Sequence, residues 1–227
     1  MSRNHEMTRR VALQSLLALP GAVALAQEEP LIENNERPIW NEAYSEEESP
    51  VTNYPNRFLA DVVEGRSPCR AFDIGMGQGR NSIFLAKRGW DVTGVDISDK
   101  GIELARKNAE RADAKVNCVV ADFLTFSLGK EKWDLIVGVY VGGLILSQAQ
   151  RIADSLRPGG LLVAENFHED VHVSALSGGR IGYPVNALLE TFAPWMRIVR
   201  YEEIRDFPDW YEQNDKLLLV RMLARKG

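Results

Sequence analysis

The chain has 227 residues, of which 45% are hydrophobic, and a formal net charge of -5, with a sequence pI of about 5.4. That is enough apolar content for one folded core, and it leaves no global basic field to hold a phosphate backbone, so nucleic acid is not the expected substrate. The 2 cysteines form no C-x-x-C pair and no His/Cys cluster is visible, so no metal site is expected.

Taken in chain order, Thr8-Arg9-Arg10 leads into an apolar run from Val11 to Val23, broken by Gln14, Ser15, Pro20 and Gly21, and then into Ala24-Leu25-Ala26. Residues 1–26 thus have the layout of a secretory leader, and the paired arginines resemble a twin-arginine signal. The run falls short of the roughly 20 apolar residues of a bilayer span, so no stable membrane span is expected. The alternatives are an amphipathic helix or a start at Met7, either of which leaves the protein cytoplasmic. Residues 27–55 are acidic and broken by Pro30, Pro38 and Pro50. Poor in periodicity, they read as a linker or a cofactor-covering arm, in which Trp40-Asn-Glu-Ala-Tyr44 is the exception.

The main domain is expected over 56–227. A short helix over Asn56 to Glu64 precedes a strand over Arg70 to Ile74, a helix over Arg80 to Arg88 and a strand over Trp90 to Val95. Ser98 caps a helix over Asp99 to Ala112, with Asp99 early and Arg111 late as the helix dipole prefers. Strands over Val116 to Val120 and Trp133 to Val139 follow, the second a nearly continuous apolar run suited to a strand covered on both faces. Gln148 to Leu156 is a helix, Arg157-Pro-Gly-Gly160 a turn, Leu161 to Glu165 a strand and Asn186 to Phe192 a helix. Arg197 to Glu203 and Lys216 to Leu223 close the chain as an antiparallel hairpin pair. The sum is an α/β fold, a doubly wound, mostly parallel seven-stranded sheet with that hairpin at its C-terminus. Cys69 and Cys118 then lie two interstrand steps of about 4.8 Å apart, beyond the roughly 7 Å reach of a disulfide, and both should be free thiols.

The chemistry concentrates where the first strand turns into a helix. Ala71-Phe-Asp-Ile-Gly-Met-Gly-Gln-Gly79 places Gly75, Gly77 and Gly79 in that turn, and Val92-Thr-Gly-Val-Asp96 ends the next strand on a carboxylate. A dinucleotide site wants G-x-G-x-x-G and a pyrophosphate on the helix N-terminus. Here the spacing is G-x-G-x-G, Arg80-Asn81 stands where the third glycine belongs, and Asp73 opposes pyrophosphate while suiting an ammonium group. S-adenosylmethionine has that ammonium together with a sulfonium and a ribose, whose hydroxyls Asp96 is placed to bind. A nicotinamide cofactor fits this pattern poorly.

The motifs Asp73-Ile-Gly-Met-Gly-Gln-Gly79 and Val95-Asp96 resemble the first two motifs of class I S-adenosylmethionine-dependent methyltransferases. The run from Gly79 to Asp96 is similar to the small-molecule branch that includes the tellurite-resistance and thiopurine methyltransferases, and the likeness extends over about Trp40 to Ala224. The resemblance implies S-adenosylmethionine as cofactor, held by Asp73, Gly75, Gly77, Gly79, Asp96 and the adjoining Ile97. It also implies that Asp122 and Phe123 meet adenine. Trp40 and Tyr44 match an aromatic arm that folds over the cofactor in relatives, although two aromatics pinning the arm to the core explain them equally well.

Ligands of such sheets bind outside the carboxyl ends of the strands. On that rule the acceptor side collects Tyr140 and the segment from Glu165 to His172. His168 and His172 are the candidate general bases, with Glu165 and Glu169 as acidic partners, should the acceptor carry a proton. Thiolates and chalcogen anions need none. The loop from Ser177 to Pro184, with its glycines and Arg180, is either a lid or a surface connection. Two functions follow: methyl transfer to a small molecule, with thiol, selenium and tellurium species as the candidate acceptors, or a non-catalytic protein that binds S-adenosylmethionine or S-adenosylhomocysteine. The sequence assigns no oligomeric state.

Overall fold

The structure, a computed structural model, describes residues 36–45, 53–171, 182–209 and 215–227. The leader assigned to 1–26, His172 and the greater part of the 177–184 loop lie outside the described residues.

The described residues form fourteen helices and strands. They are α1 (Arg37–Ala43), α2 (Arg57–Val63), β1 (Arg70–Ile74), α3 (Arg80–Ala86), β2 (Asp91–Asp96), α4 (Asp99–Arg111) and β3 (Val116–Val120), followed by β4 (Trp133–Val139), α5 (Leu144–Ser147), α6 (Ala149–Ser155), β5 (Leu156–Phe167), α7 (Ala187–Phe192), β6 (Arg197–Asp206) and β7 (Leu217–Arg225). The strands form one 7-stranded sheet in the order β3-β2-β1-β4-β5-β7-β6. Pairs among β1 to β5 are parallel, whereas β7 runs antiparallel to both β5 and β6. The expected α/β architecture is therefore present, including the antiparallel C-terminal pair.

Period-two alternation decides which core each strand residue joins. Phe72, Ile74, Ile136 and Leu162 point to one face, where α5, α6 and α7 add Ile145, Ile152, Leu188 and Phe192. Ala71, Val92, Leu135, Val137 and Val163 point to the other, covered by Phe58 and Leu59 of α2 and Leu85 of α3. Both helix caps that hold α2 and α4 are side-chain oxygens: Asn56 accepts from the Leu59 N–H, and Ser98 from the Gly101 N–H.

Three elements differ from the sequence reading. The acidic stretch 27–55 contains a helical turn, α1, begun by Pro38 in its first turn. A further short helix, α5, precedes α6. The expected turn at Arg157-Pro-Gly-Gly160 is absorbed into β5, because the Gly159 N–H donates to the Lys226 carbonyl and the Lys226 N–H to the Gly160 carbonyl. The irregularity survives as a register jump, Trp133 facing Leu156 while Leu135 faces Leu161. Cys69 is exposed and Cys118 buried, and both are free. Among the described residues no helix is long and apolar enough to cross a membrane.

Candidate active site

Chain order reverses between β1 and β4, so the connections leaving their carboxyl ends diverge and open a cleft. A cavity of about 660 Å3 occupies it, within the range of small-molecule sites. Gly75, Asp96, Asp122, Tyr140 and Phe167 bring the ends of β1 to β5 to its wall, and Trp40 and Tyr44 bring α1.

The glycine turn is shaped for close approach. Gly75 and Gly77 have φ of 63° and 52°, in the left-handed region that glycine enters without penalty. A Cβ on Gly75 would stand 2.6 Å from Val141 Cγ1, and one on Gly77 would collide with the Tyr44 hydroxyl. The turn is tied to β2 by the Gly77 N–H, which donates to Asp96 Oδ2 at 2.8 Å, while Asp96 Oδ1 accepts from the Ser98 N–H at 2.8 Å. Each oxygen keeps further lone-pair capacity, so the carboxylate is oriented and still able to accept from vicinal hydroxyls. Burial raises the Asp96 pKa, opposed by the N–H groups of Ser98 and Gly77.

α1 closes this side. Asn41 Oδ1 accepts from Ser98 Oγ at 2.7 Å, and the Arg37 guanidinium pairs with Asp99 at 3.2 Å, so the arm docks on the N-terminus of α4. Tyr44 is buried, and its rings and those of Trp40 stand 6.3 Å apart. Burial, reinforced by Asp96, holds the Tyr44 hydroxyl protonated.

Asp73 occupies a different place from the one expected. It does not line the cavity; it is buried beneath the glycine turn, where Oδ2 accepts from Ser82 Oγ of α3 at 2.7 Å. Desolvation pushes its pKa up to about 7, against the Ser82 bond and the nearby Arg80 charge. The direct ammonium contact is therefore corrected to a supporting role behind the wall. Gly77 and Gly79 likewise shape the turn from outside the lining, whereas Gly75, Asp96 and Ile97 face the cavity.

On the acceptor side Tyr140 has a left-handed φ of 57°, costing a bulky residue about 1–2 kcal/mol. Its ring lies between Phe167, 5.1 Å away, and the Arg80 guanidinium, 5.8 Å away. Its hydroxyl donates to Glu165 Oε1 at 2.7 Å, and burial together with the Glu165 charge raises the phenol's pKa well above its ordinary value.

Glu165 is the second correction. It is fully buried and does not line the cavity. Oε1 also accepts from Asn56 Nδ2 at 2.8 Å, and Oε2 from Arg221 Nε, whose guanidinium reaches Asp206 at 3.0 Å. Asp209 joins by accepting from Asn56 Nδ2 at 3.1 Å and from Arg80 Nη1 at 3.3 Å. A carboxylate so engaged is a structural anchor for Tyr140. The third correction is His168, buried and outside the lining. Its Nδ1 accepts from the Asp170 N–H at 3.1 Å, which places the ring proton on Nε2, 3.9 Å from Glu203. That geometry braces the end of β5 against β6 and gives no base for a cavity-bound acceptor.

Arg80 and Asn81, read in the sequence only as the place of an absent glycine, line the cavity, as do Asn166 and Phe167, which lay within the segment placed on the acceptor side but had been given no role of their own. The cation of Arg221 inside the otherwise apolar run of β7 signals a buried partner, and that partner is Glu165.

A family profile described as a methyltransferase domain matches residues 71–160. The chain is 27% identical over 177 residues to a probable S-adenosyl-L-methionine-dependent methyltransferase, TehB, of Haemophilus influenzae, covering 74% of this chain and 61% of that protein. The crystal structure of TehB from Haemophilus influenzae superposes with a TM-score of 0.62 at 23% identity, over 74% of this chain and 61% of that one. Residues 71–160 carry a methyltransferase domain, and the chain resembles class I S-adenosylmethionine-dependent methyltransferases. A structure titled for conversion of a disulfide bond into a thioacetal group during echinomycin biosynthesis shares the fold, with a TM-score of 0.66 at 18% identity over 85% of this chain and 92% of its own. The chain spans only 61% of the length of the TehB relative, and the methyltransferase domain binds S-adenosylmethionine as its cofactor.

Proposed function

We propose that this protein transfers the methyl group of S-adenosylmethionine to a small-molecule acceptor that arrives with its lone pair already available, a thiolate or a selenium or tellurium anion. The observation that carries this reading is the composition of the acceptor wall. Where β4, β5 and α5 contribute to the cavity, the described residues are Val139 to Leu144, Ser147, Asn166 and Phe167, with no carboxylate or imidazole among them. Tyr140 is held protonated against Glu165. Orientation, rather than proton removal, is what such a wall supplies.

The cofactor residues fit the group. Asp96 is oriented for the ribose hydroxyls, Asp122 and Phe123 for the adenine amine and ring, and Tyr44 and Trp40 cover the site from α1. When bound, S-adenosylmethionine supplies an electrophilic methyl carbon on a sulfonium. Beside it, Tyr140 and Phe167 would hold the acceptor with its lone pair aimed along the S–CH3 axis, and the product left in the site would be S-adenosylhomocysteine. The residue types of the wall, a tyrosine ring, Phe167 and Leu144, favour a soft, weakly hydrated nucleophile over a strongly hydrated one. The net charge of -5 also favours a small acceptor over nucleic acid.

The pH dependence of turnover tests this. With a series of thiols, kcat/KM should rise with pH along each thiol's own ionisation. A profile fixed at one pH midpoint across thiols of different acidity would instead reveal a protein base.

A further inference from the structure

Arg151 lies on α6, outside the cavity and away from every motif of the chain, yet its guanidinium is committed to one loop. Nη1 donates to the Leu124 carbonyl at 2.8 Å and to Gln148 Oε1 at 2.7 Å. Nη2 donates to the Phe126 carbonyl at 3.0 Å and to the Phe123 carbonyl. Its plane also covers the Phe123 ring, 4.7 Å from the centroid. The arrangement has a cost, since Nε is buried without a partner. A planar, delocalised fork is the side chain able to gather three carbonyls and an aromatic face at once, and a lysine ammonium is not equivalent.

The loop it gathers is the one that leaves β3. Asp122, Phe123 and Leu124 line the cavity. Within the loop, Asp122 Oδ1 accepts from the Leu124 N–H at 2.8 Å and the Asp122 carbonyl from the Phe126 N–H at 2.9 Å. The turn is thus fixed from inside by Asp122 and from outside by Arg151, with regular strand pairing ended at Val120.

We propose that Arg151 is a positioning residue that sets the base selectivity of the cofactor site: by holding the Phe123–Phe126 carbonyls, it fixes the Asp122 carboxylate and the Phe123 ring where they distinguish a 6-amino purine from a 6-oxo purine. The proposal rests on the reading that Asp122 and Phe123 meet adenine. An exocyclic amine donates to the carboxylate, whereas an oxo group sets two acceptors against each other, so a rigid loop discriminates and a loose one turns away.

Calorimetric titration of the full chain with S-adenosylhomocysteine and with its inosine analogue tests this. The wild type should prefer the adenine form by roughly tenfold or more, the effect of one charge-assisted hydrogen bond. Arg151→Gln should lose most of that preference while keeping a cooperative melt, and Arg151→Lys should fall between the two. In an Asp122→Asn background, Arg151→Gln should change the preference no further. A folded Arg151→Gln, or Arg151→Lys if the former fails to fold, that retains the full wild-type preference overturns the proposal. A wild type that binds both ligands equally overturns the adenine reading itself, a result separate from any behaviour of the variants.

Discussion

The N–H of Gly77 donates to Asp96 Oδ2 across 2.8 Å, so the glycine turn after β1 and the carboxylate ending β2 are one hydrogen-bonded unit. Either half without the other would leave this wall of the cavity undefined, since the same carboxylate also receives the Ser98 N–H that opens α4.

Replacing Asp96 by Ala should therefore weaken S-adenosylhomocysteine binding by tenfold or more. Hydrogen bonds to a charged group are worth about 1.5–3 kcal/mol, and the substitution also releases two backbone donors. Titration calorimetry on a variant with an intact melt is the check, and unchanged affinity would displace the ribose from this position.

Asp73 gives a pH dependence whose sign is fixed. Burial raises its pKa from 3.8 to about 7 in the folded protein, so the folded state holds the proton more tightly than the unfolded chain. Its favourable contribution is complete below about pH 3.8 and is lost as pH rises through 7. Asp96, also raised, acts in the same sense. Without cofactor, Asp73→Asn should flatten the decline in melting temperature between pH 5 and about 8 relative to the wild type, because asparagine retains an acceptor for Ser82 and carries no charge. Parallel declines in the two proteins would assign the titration elsewhere.

Arg221→Met should be strongly destabilising, on the order of 3–5 kcal/mol, because it strands the buried Glu165 carboxylate. Glu165 already has a raised pKa, from burial and from the Asp209 charge, with Arg221 opposing both. Denaturant unfolding measures the loss, and the double substitution Glu165→Gln with Arg221→Met should recover part of it.

His168→Ala should lower stability and leave the pH profile of turnover unchanged, since the imidazole braces Asp170 and Glu203 rather than facing the cavity. A profile that loses an ionisation in this variant would restore the histidine as a base.

The parallel part of the fold was legible in the sequence because its signals are local: the bounds of β1, β3 and β4 follow apolar runs, and Ser98 is a cap whose type marks the start of α4. Asp96, at the end of β2, and Asp122 and Phe123, just past the end of β3, were expected at the carboxyl ends of the strands, and all three line the cavity. The buried network was not legible. Asn56, Glu165, Asp209 and Arg221 are separated by up to 153 positions at a single contact, and no spacing rule announces that four polar residues will share one interior site. Glu165 and His168 were misassigned for the same reason. Being near the end of β5 does not say which side chain reaches the cavity: Glu165 is fully buried in the polar network, while Asn166 and Phe167, further along the strand, line the cavity.

The most direct measurement is mass-spectrometric product analysis after purified protein is incubated with methyl-labelled S-adenosylmethionine and a panel of thiols, selenium and tellurium oxyanions with reductant, amines and phenols. The account predicts label on the sulfur, selenium or tellurium of a small acceptor, with S-adenosylhomocysteine formed in equal amount. Bound S-adenosylmethionine that stays intact with every acceptor, or label found only on amines and phenols, would contradict it.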